Sequence, residues 1–173
     1  MTDVLINTDV LKNKEYFRSI LFGIEDSLVS TTGLIAGISV GSSDNREFVL
    51  LAGLVAVSIE AVSMGAGEYL SDDAVRDLDK LKRYRENPFL SGTLMLISYF
   101  LAGLIPLAPI AFTNYPASLW LSVFLALIFL FLLGFVKGRI SNTSPFKGGL
   151  KILFVGGIST LLGLVVGRFF SLI

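Results

Sequence analysis

The sequence predicts an all-α integral membrane protein with five transmembrane helices, and three observations carry that prediction. Apolar residues make up 53% of the chain and its mean hydropathy is +0.75, oilier than an ordinary soluble domain. No charged residue occurs between Asn87 and Val136, an interval long enough for two spans at roughly 20 residues each. Apolar runs recur at 17–41, 48–70, 89–112, 118–136 and 149–172, each able to cross a bilayer at about 1.5 Å per residue. Together they make one transmembrane domain over residues 1–173.

The first run is preceded by Asp3, Asp9, Lys12, Lys14 and Glu15, unlike a cleavable signal peptide with its short basic start and immediate apolar core. Insertion is therefore expected to use the first span itself. The segment Gly41-Ser42-Ser43-Asp44-Asn45 ends that run in a turn, and the second run follows. After it, the charged loop 71–88 is expected to continue the second helix beyond the membrane. Its acidic residues Asp72, Asp73, Asp77, Asp79 and Glu86 are matched in number by basic ones, which reads as a solvated helical extension rather than a metal-capture site. The third run contains Pro106 and Pro109, which predict a kink or loosened backbone. Thr113-Asn114-Tyr115-Pro116 and Ser141-Asn142-Thr143-Ser144-Pro145 separate the third, fourth and fifth runs.

Positive charge assigns the sides. Lys12, Lys14 and Arg18, then Arg76, Lys80, Lys82, Arg83 and Arg85, then Lys137, Arg139, Lys147 and Lys151 all fall on one side of a five-span topology, against Arg46 and Arg168 on the other. The basic side is the cytoplasmic one, so the N-terminus is expected there and the C-terminus outside or in a lumen. Small residues also repeat at four-residue spacing: Gly33, Gly37 and Gly41; Gly134 and Gly138; Gly163 and Gly167. Such rows let helices approach closely in lipid, and the spacing serves intrachain packing and a dimer face equally well.

Composition narrows the chemistry. Cysteine and histidine are both absent, which excludes disulfides, thiolate catalysis and zinc sites built on those ligands. With no nucleophile beside a base and no phosphate-cradling loop, an enzyme is not expected, nor is any permanently bound cofactor. A net charge of zero without a basic stripe excludes a nucleic-acid surface.

What remains is a set of carboxylates where a bilayer should be. Glu60, Met64 and Glu68 recur every four residues, drifting by only about 40° per step, so they share one helix face. Ionisable groups inside a span are expensive and are read first as a cation pathway. Glu25 and Asp26 interrupt the first span, followed by Ser27, Ser30, Thr31 and Thr32. Adjacent helical residues point about 100° apart, so both acids are not expected to face one site. Oxygen ligands alone suit Mg²⁺ or Ca²⁺, whereas a thioether shifts preference toward softer ions such as Fe²⁺. The candidate metal residues are thus Asp26, Met64, Glu60, Glu68 and Glu25. Met64 is also what core or lipid-facing filler looks like, and Glu68 has the alternative of capping or snorkelling at the interface.

These residues resemble a known family. Phe22-Gly23-Ile24-Glu25-Asp26-Ser27-Leu28-Val29-Ser30-Thr31, followed by Gly33-Leu34-Ile35-Ala36-Gly37, is similar to the first-helix signature of the vacuolar iron transporters, F-G-x-x-D-G-L-V-S-T leading into G-L-x-x-G. Ser63-Met64-Gly65-Ala66-Gly67-Glu68-Tyr69-Leu70-Ser71 resembles their second-helix phrase S-M-x-x-G-E-Y-x-S, and Ala102-Gly103-Leu104-Ile105-Pro106-Leu107-Ala108-Pro109 their third-helix G-x-x-x-P-L-x-P. The resemblance implies a five-helix homodimer that exchanges cytosolic Fe²⁺, and often Mn²⁺, for protons along a path between the first two helices of the two subunits. It implies Asp26 and Met64 as contacts of the travelling ion. Ser27 stands where the family usually has Gly, and the 71–88 loop is too short for the family's cytoplasmic metal-binding domain, as in its nodulin-like branch.

The expected function is therefore export of a divalent cation from the cytoplasm in exchange for protons, with the bilayer and a second copy as partners. The membrane is the plasma membrane in a prokaryote and a vacuole-like one in a eukaryote. The rival expectation is a non-transporting membrane protein whose carboxylates pair internally with Arg or hydroxyls.

Overall fold

A computed structural model describes residues 2–42, 45–78 and 87–172, with side chains from position 14 onward. It is all-helical: α1 (Thr2–Gly41), α2 (Arg46–Leu78), α3 (Pro88–Phe112), α4 (Ala117–Ile140) and α5 (Pro145–Phe170). All five are long and apolar enough to span a membrane. The protein is an integral membrane protein.

Helix ends are set by local chemistry more than by where the apolar runs stop. Asn45 Oδ1 accepts the Phe48 N–H at 3.0 Å at the start of α2. Asn87 Oδ1 accepts the Phe89 N–H at 3.1 Å, with Pro88 at the first helical position of α3, a combination that satisfies an orphan donor and pre-sets the backbone. Likewise α5 begins at Pro145, four residues before its apolar run. The fourth helix continues past Val136 through Lys137 and Arg139, cations that favour a helix C-terminus. As expected, α2 runs on beyond Leu70 to Leu78; Asp79, Lys80, Lys82, Arg83, Arg85 and Glu86 of the charged loop lie outside the described residues. Pro106 and Pro109 do not interrupt α3, and Ser122 Oγ of α4 donates to the Pro106 carbonyl at 2.5 Å.

The first helix is central. It packs on α5 and α3 and more lightly on α4 and α2, while α2 leans chiefly on α3. Leu28, Ala102, Leu130 and Ile152 join α1, α3, α4 and α5; Ile35, Val49, Val57, Leu107 and Ile110 join α1, α2 and α3. Large apolar side chains such as Trp120, Phe124 and Phe154 point outward, a surface that only lipid or another apolar partner can cover.

The glycine rows are internal contacts. Gly33, Gly37 and Gly41 face Ser159, Gly163 and Gly167, so that a Cβ on Gly37 would lie 2.9 Å from the Gly163 carbonyl oxygen. Gly134 and Gly138 meet the start of α5 in the same way, a Cβ on Gly138 falling 2.8 Å from Pro145 Cα. Intrachain packing, one of the two readings that the spacing allowed, accounts for all of them.

Candidate functional site

The stripe on α2 faces α1. At one end, Glu68 Oε1 accepts from Ser19 Oγ at 2.6 Å and from Arg18 Nη2 at 3.0 Å. Eight residues away, Glu60 Oε2 accepts from Ser30 Oγ at 3.2 Å and from the Tyr99 hydroxyl of α3. Ser30 and Tyr99 also bond to each other through their hydroxyls, 2.7 Å apart. With Ser19 opposite Glu68 and Ser30 opposite Glu60, the two helices are antiparallel, and their register brings Asp26 to the level of Met64. Both are half-buried.

Tyr99 is the anchor of the Glu60 end. It is 1% exposed, and its backbone carbonyl accepts from Ser27 Oγ at 2.6 Å, so α1 grips α3 at the turn where the tyrosine hydroxyl is presented. A buried hydrogen bond to a charged group contributes about 1.5–3 kcal/mol. Tyr99→Phe removes that donor while Ser30 remains, and is expected to lower stability by about 1–2 kcal/mol. Thermal unfolding in detergent reads this; an unchanged midpoint would take Tyr99 out of the site.

Asp26 stands apart from the other acids. Among the described residues it has no ion pair or side-chain hydrogen bond, and the charges acting on it are those of Glu60 and Glu25. Nor do three carboxylates converge among the described residues to cage an ion. Glu25 is turned the other way, its Oε2 3.8 Å from Lys137 Nζ of α4. It therefore does not join Asp26, Met64, Glu60 and Glu68 along the seam, as the angle between adjacent helical residues requires.

The reading of 71–88 as a solvated extension fails at Asp72. This residue is 4% exposed, its Oδ1 lies 3.9 Å from Arg18 Nη2, and its Oδ2 has no hydrogen-bond partner among the described residues. The sequence carried a signal for it: Asp72 continues the four-residue series of Glu60, Met64 and Glu68. Sequence reasoning also passed over Ser19 and Tyr99, and took Arg18 only as a topology marker. A hydroxyl-bearing aromatic in mid-span, away from the interfacial belts where Tyr collects, was the available clue to Tyr99.

Between α1, α2 and α5 lies an open cleft of about 610 Å³, with Ser30 and Glu60 in its wall and Gly33, Gly37, Gly163 and Gly167 at its floor. Ser42 and Ser159 also line the cleft, and its remaining border is apolar, with Leu34, Ile38, Phe48, Leu162 and Val166.

Comparison with known proteins decides what this arrangement belongs to. The model of the VIT family matches residues 17–87 and 78–168. The chain belongs to the VIT family. It is 26% identical to Vacuolar iron transporter 1 of Eucalyptus grandis over 207 aligned positions, covering 84% of this chain and 83% of that protein. It is also 26% identical to VIT-like transporter 1b of Glycine max over 171 positions, covering 87% and 74%, and to Vacuolar iron transporter homolog 1 of Arabidopsis thaliana over 165, covering 87% and 81%. Spreading 84% of a 173-residue chain over 207 positions requires more gaps in it than the other two alignments do.

Proposed function

We propose that this protein exports Fe²⁺ or Mn²⁺ from the cytoplasm in exchange for protons, as a homodimer whose path runs along the α1–α2 seams of the two copies. The observation that carries the proposal is Asp26: an acid within a membrane-spanning helix, without a partner among the described residues, level with the Met64 thioether by the register of α1 and α2. An uncompensated carboxylate there costs several kcal/mol if charged; an arriving divalent cation supplies the missing charge. Met64 then tips the site from hard ions toward Fe²⁺, in keeping with the names of the vacuolar iron transporter relatives.

In this mechanism the ion enters from the basic side, past Glu68. It sheds part of its water against Asp26 and Met64, and Glu60, held by Ser30 and Tyr99, exchanges the counter-moving proton. Two ligands from one chain leave the coordination sphere unfilled, and a second copy seated on the open cleft beside Glu60 would bring a second seam close. The largely apolar lining of that cleft supports the seat. The 71–88 loop, too short for a separate cytoplasmic metal-binding domain, leaves capture of the ion to the seam and its mouth. The membrane would be vacuole-like in a eukaryote and the plasma membrane in a prokaryote.

A non-transporting structural role is favoured by one set of contacts: Glu60, Glu68 and Glu25 each have a partner. Asp26 is what it leaves without a purpose. Fe²⁺ and Mn²⁺ uptake into proteoliposomes under an imposed pH gradient separates the two, since absence of flux for every divalent ion tested would leave the structural role standing. Within the same assay Met64→Ala is expected to reduce Fe²⁺ flux about tenfold and Ca²⁺ flux by far less, because oxygen-seeking ions gain little from a thioether. Equal losses for both ions would dismiss Met64 as a ligand.

A further inference from the structure

At the end of the seam formed by Arg18, Glu68 and Asp72, a single nitrogen lies beside two acids. Arg18 Nη2 is 3.0 Å from Glu68 Oε1 and 3.9 Å from Asp72 Oδ1, and Ser19 Oγ lies 2.6 Å from that same Glu68 oxygen. The carboxylates are buried, with side chains 11% and 6% exposed, whereas the arginine is 59% exposed. Asp72 Oδ2 is unpartnered among the described residues although fully enclosed, a shortfall that a native interior seldom tolerates. Setting two largely buried acids one helical turn apart against one largely solvated guanidinium is poor design for stability alone. An ion pair so exposed is weak and its side chain is free to swing out.

The geometry points to a divalent-cation site formed by Glu68 and Asp72 at the mouth of the seam, with Arg18 as a tethered stand-in that the incoming ion displaces. The position of Nη2 marks a point that Glu68 already reaches and Asp72 flanks at 3.9 Å. A small divalent ion binds oxygen at about 2.0–2.6 Å and commonly uses only one or two carboxylates, keeping water for the rest, so rotation of the two side chains toward that point suffices. Ser19 holds Glu68 in place when the guanidinium leaves, and Asp72 Oδ2 gains the partner it lacks. One turn inward on the same face is Met64, so an ion released here meets the Asp26 level next. Occupied by Arg18, the mouth also keeps two buried acids from facing each other uncompensated between ions.

This site rests on divalent-cation transport as proposed above, and binding and flux test the two separately. Mn²⁺ is titrated by electron paramagnetic resonance into the full-length protein in nanodiscs, carrying Asp26→Asn, Glu60→Gln and Met64→Ala so that, of the seam's candidate ligands, only those at the mouth remain. Adding Arg18→Gln is expected to tighten Mn²⁺ binding about tenfold, the gain when a competitor filling nine-tenths of the sites is removed. An affinity that is unchanged or weaker would overturn the stand-in role. Should Arg18→Gln fail to fold, Asp72→Asn serves instead: it leaves the Arg18–Glu68 pair intact and is expected to weaken binding about tenfold, while equal affinity would overturn the site. Absence of flux in otherwise wild-type protein that still binds Mn²⁺ at the mouth would bring down the transport reading and leave the site in place.

Discussion

Asp26→Asn is expected to cut metal flux by roughly 100-fold or more, beyond the 10–100-fold typical of losing a mere supporting partner of a metal ligand, while leaving the fold intact. Asparagine has nearly the same shape, so no cavity or clash arises. It removes the negative charge that a partly dehydrated cation needs, and its amide can offer one oxygen at most. No ion pair or side-chain hydrogen bond involving Asp26 exists among the described residues for the change to break, and the charges nearby, Glu60 and Glu25, are of like sign. Thermal stability should therefore hold or rise even as transport disappears. Initial uptake rates in proteoliposomes, beside unfolding midpoints in detergent, read both. Glu25→Gln is the control, since Glu25 faces Lys137 across α4; its flux should stay within about threefold of wild type, the pair being weak and largely solvated. Wild-type flux in Asp26→Asn with loss in Glu25→Gln would exchange the roles of the two acids.

The contrast between those neighbours shows what a sequence can and cannot express. Helical geometry separates Glu25 from Asp26 by about 100°, yet it does not say which acid meets the seam. That depends on Lys137, more than a hundred positions away. The spans themselves were legible because each apolar run is bounded by charge or turn residues. Their ends moved where a proline pre-set the first turn ahead of the apolar run, as at Pro145, or where cations prolonged a helix, as at Lys137 and Arg139. The face of α2 was legible for the same geometric reason, Glu60, Met64 and Glu68 being related by one helix period. Its partners were not. Tyr99 counts as one more aromatic in an apolar run until α1 and α3 bring its hydroxyl to Glu60, and Asp72 resembles any acid of a charged loop until α1 closes over it. Glycine spacing was equally mute, because four-residue repeats look alike whether the facing helix belongs to the same chain or to another.

That last ambiguity yields the largest expected stability effect. A Cβ at Gly163 would run into the carbonyl of Gly33 and lie 3.1 Å from its Cα. The obstacle is backbone, which cannot rotate aside as a side chain can, so α1 and α5 must separate along the whole Gly33–Gly37–Gly41 row. Overpacking of a tight interior ordinarily costs about 1–3 kcal/mol, and Gly163→Val, with its branched side chain, is expected at or above the upper end. Gly157→Ala on the same helix is the comparison: nothing lies within 4 Å of a Cβ there, and replacing a mid-helix glycine by alanine is worth about 0.5–1 kcal/mol in favour of the variant. Unfolding midpoints in detergent should move in opposite directions for the two. If Gly163→Val instead dissociated a dimer while the monomer kept its midpoint, the row would be a face between copies. Because Ser30 precedes Gly33 by less than one turn of α1, a shift at Gly163 also reaches the hydroxyl that holds Glu60. Flux should then fall with stability in Gly163→Val, whereas Asp26→Asn loses flux alone, so the pair of measurements distinguishes a broken scaffold from a missing ligand.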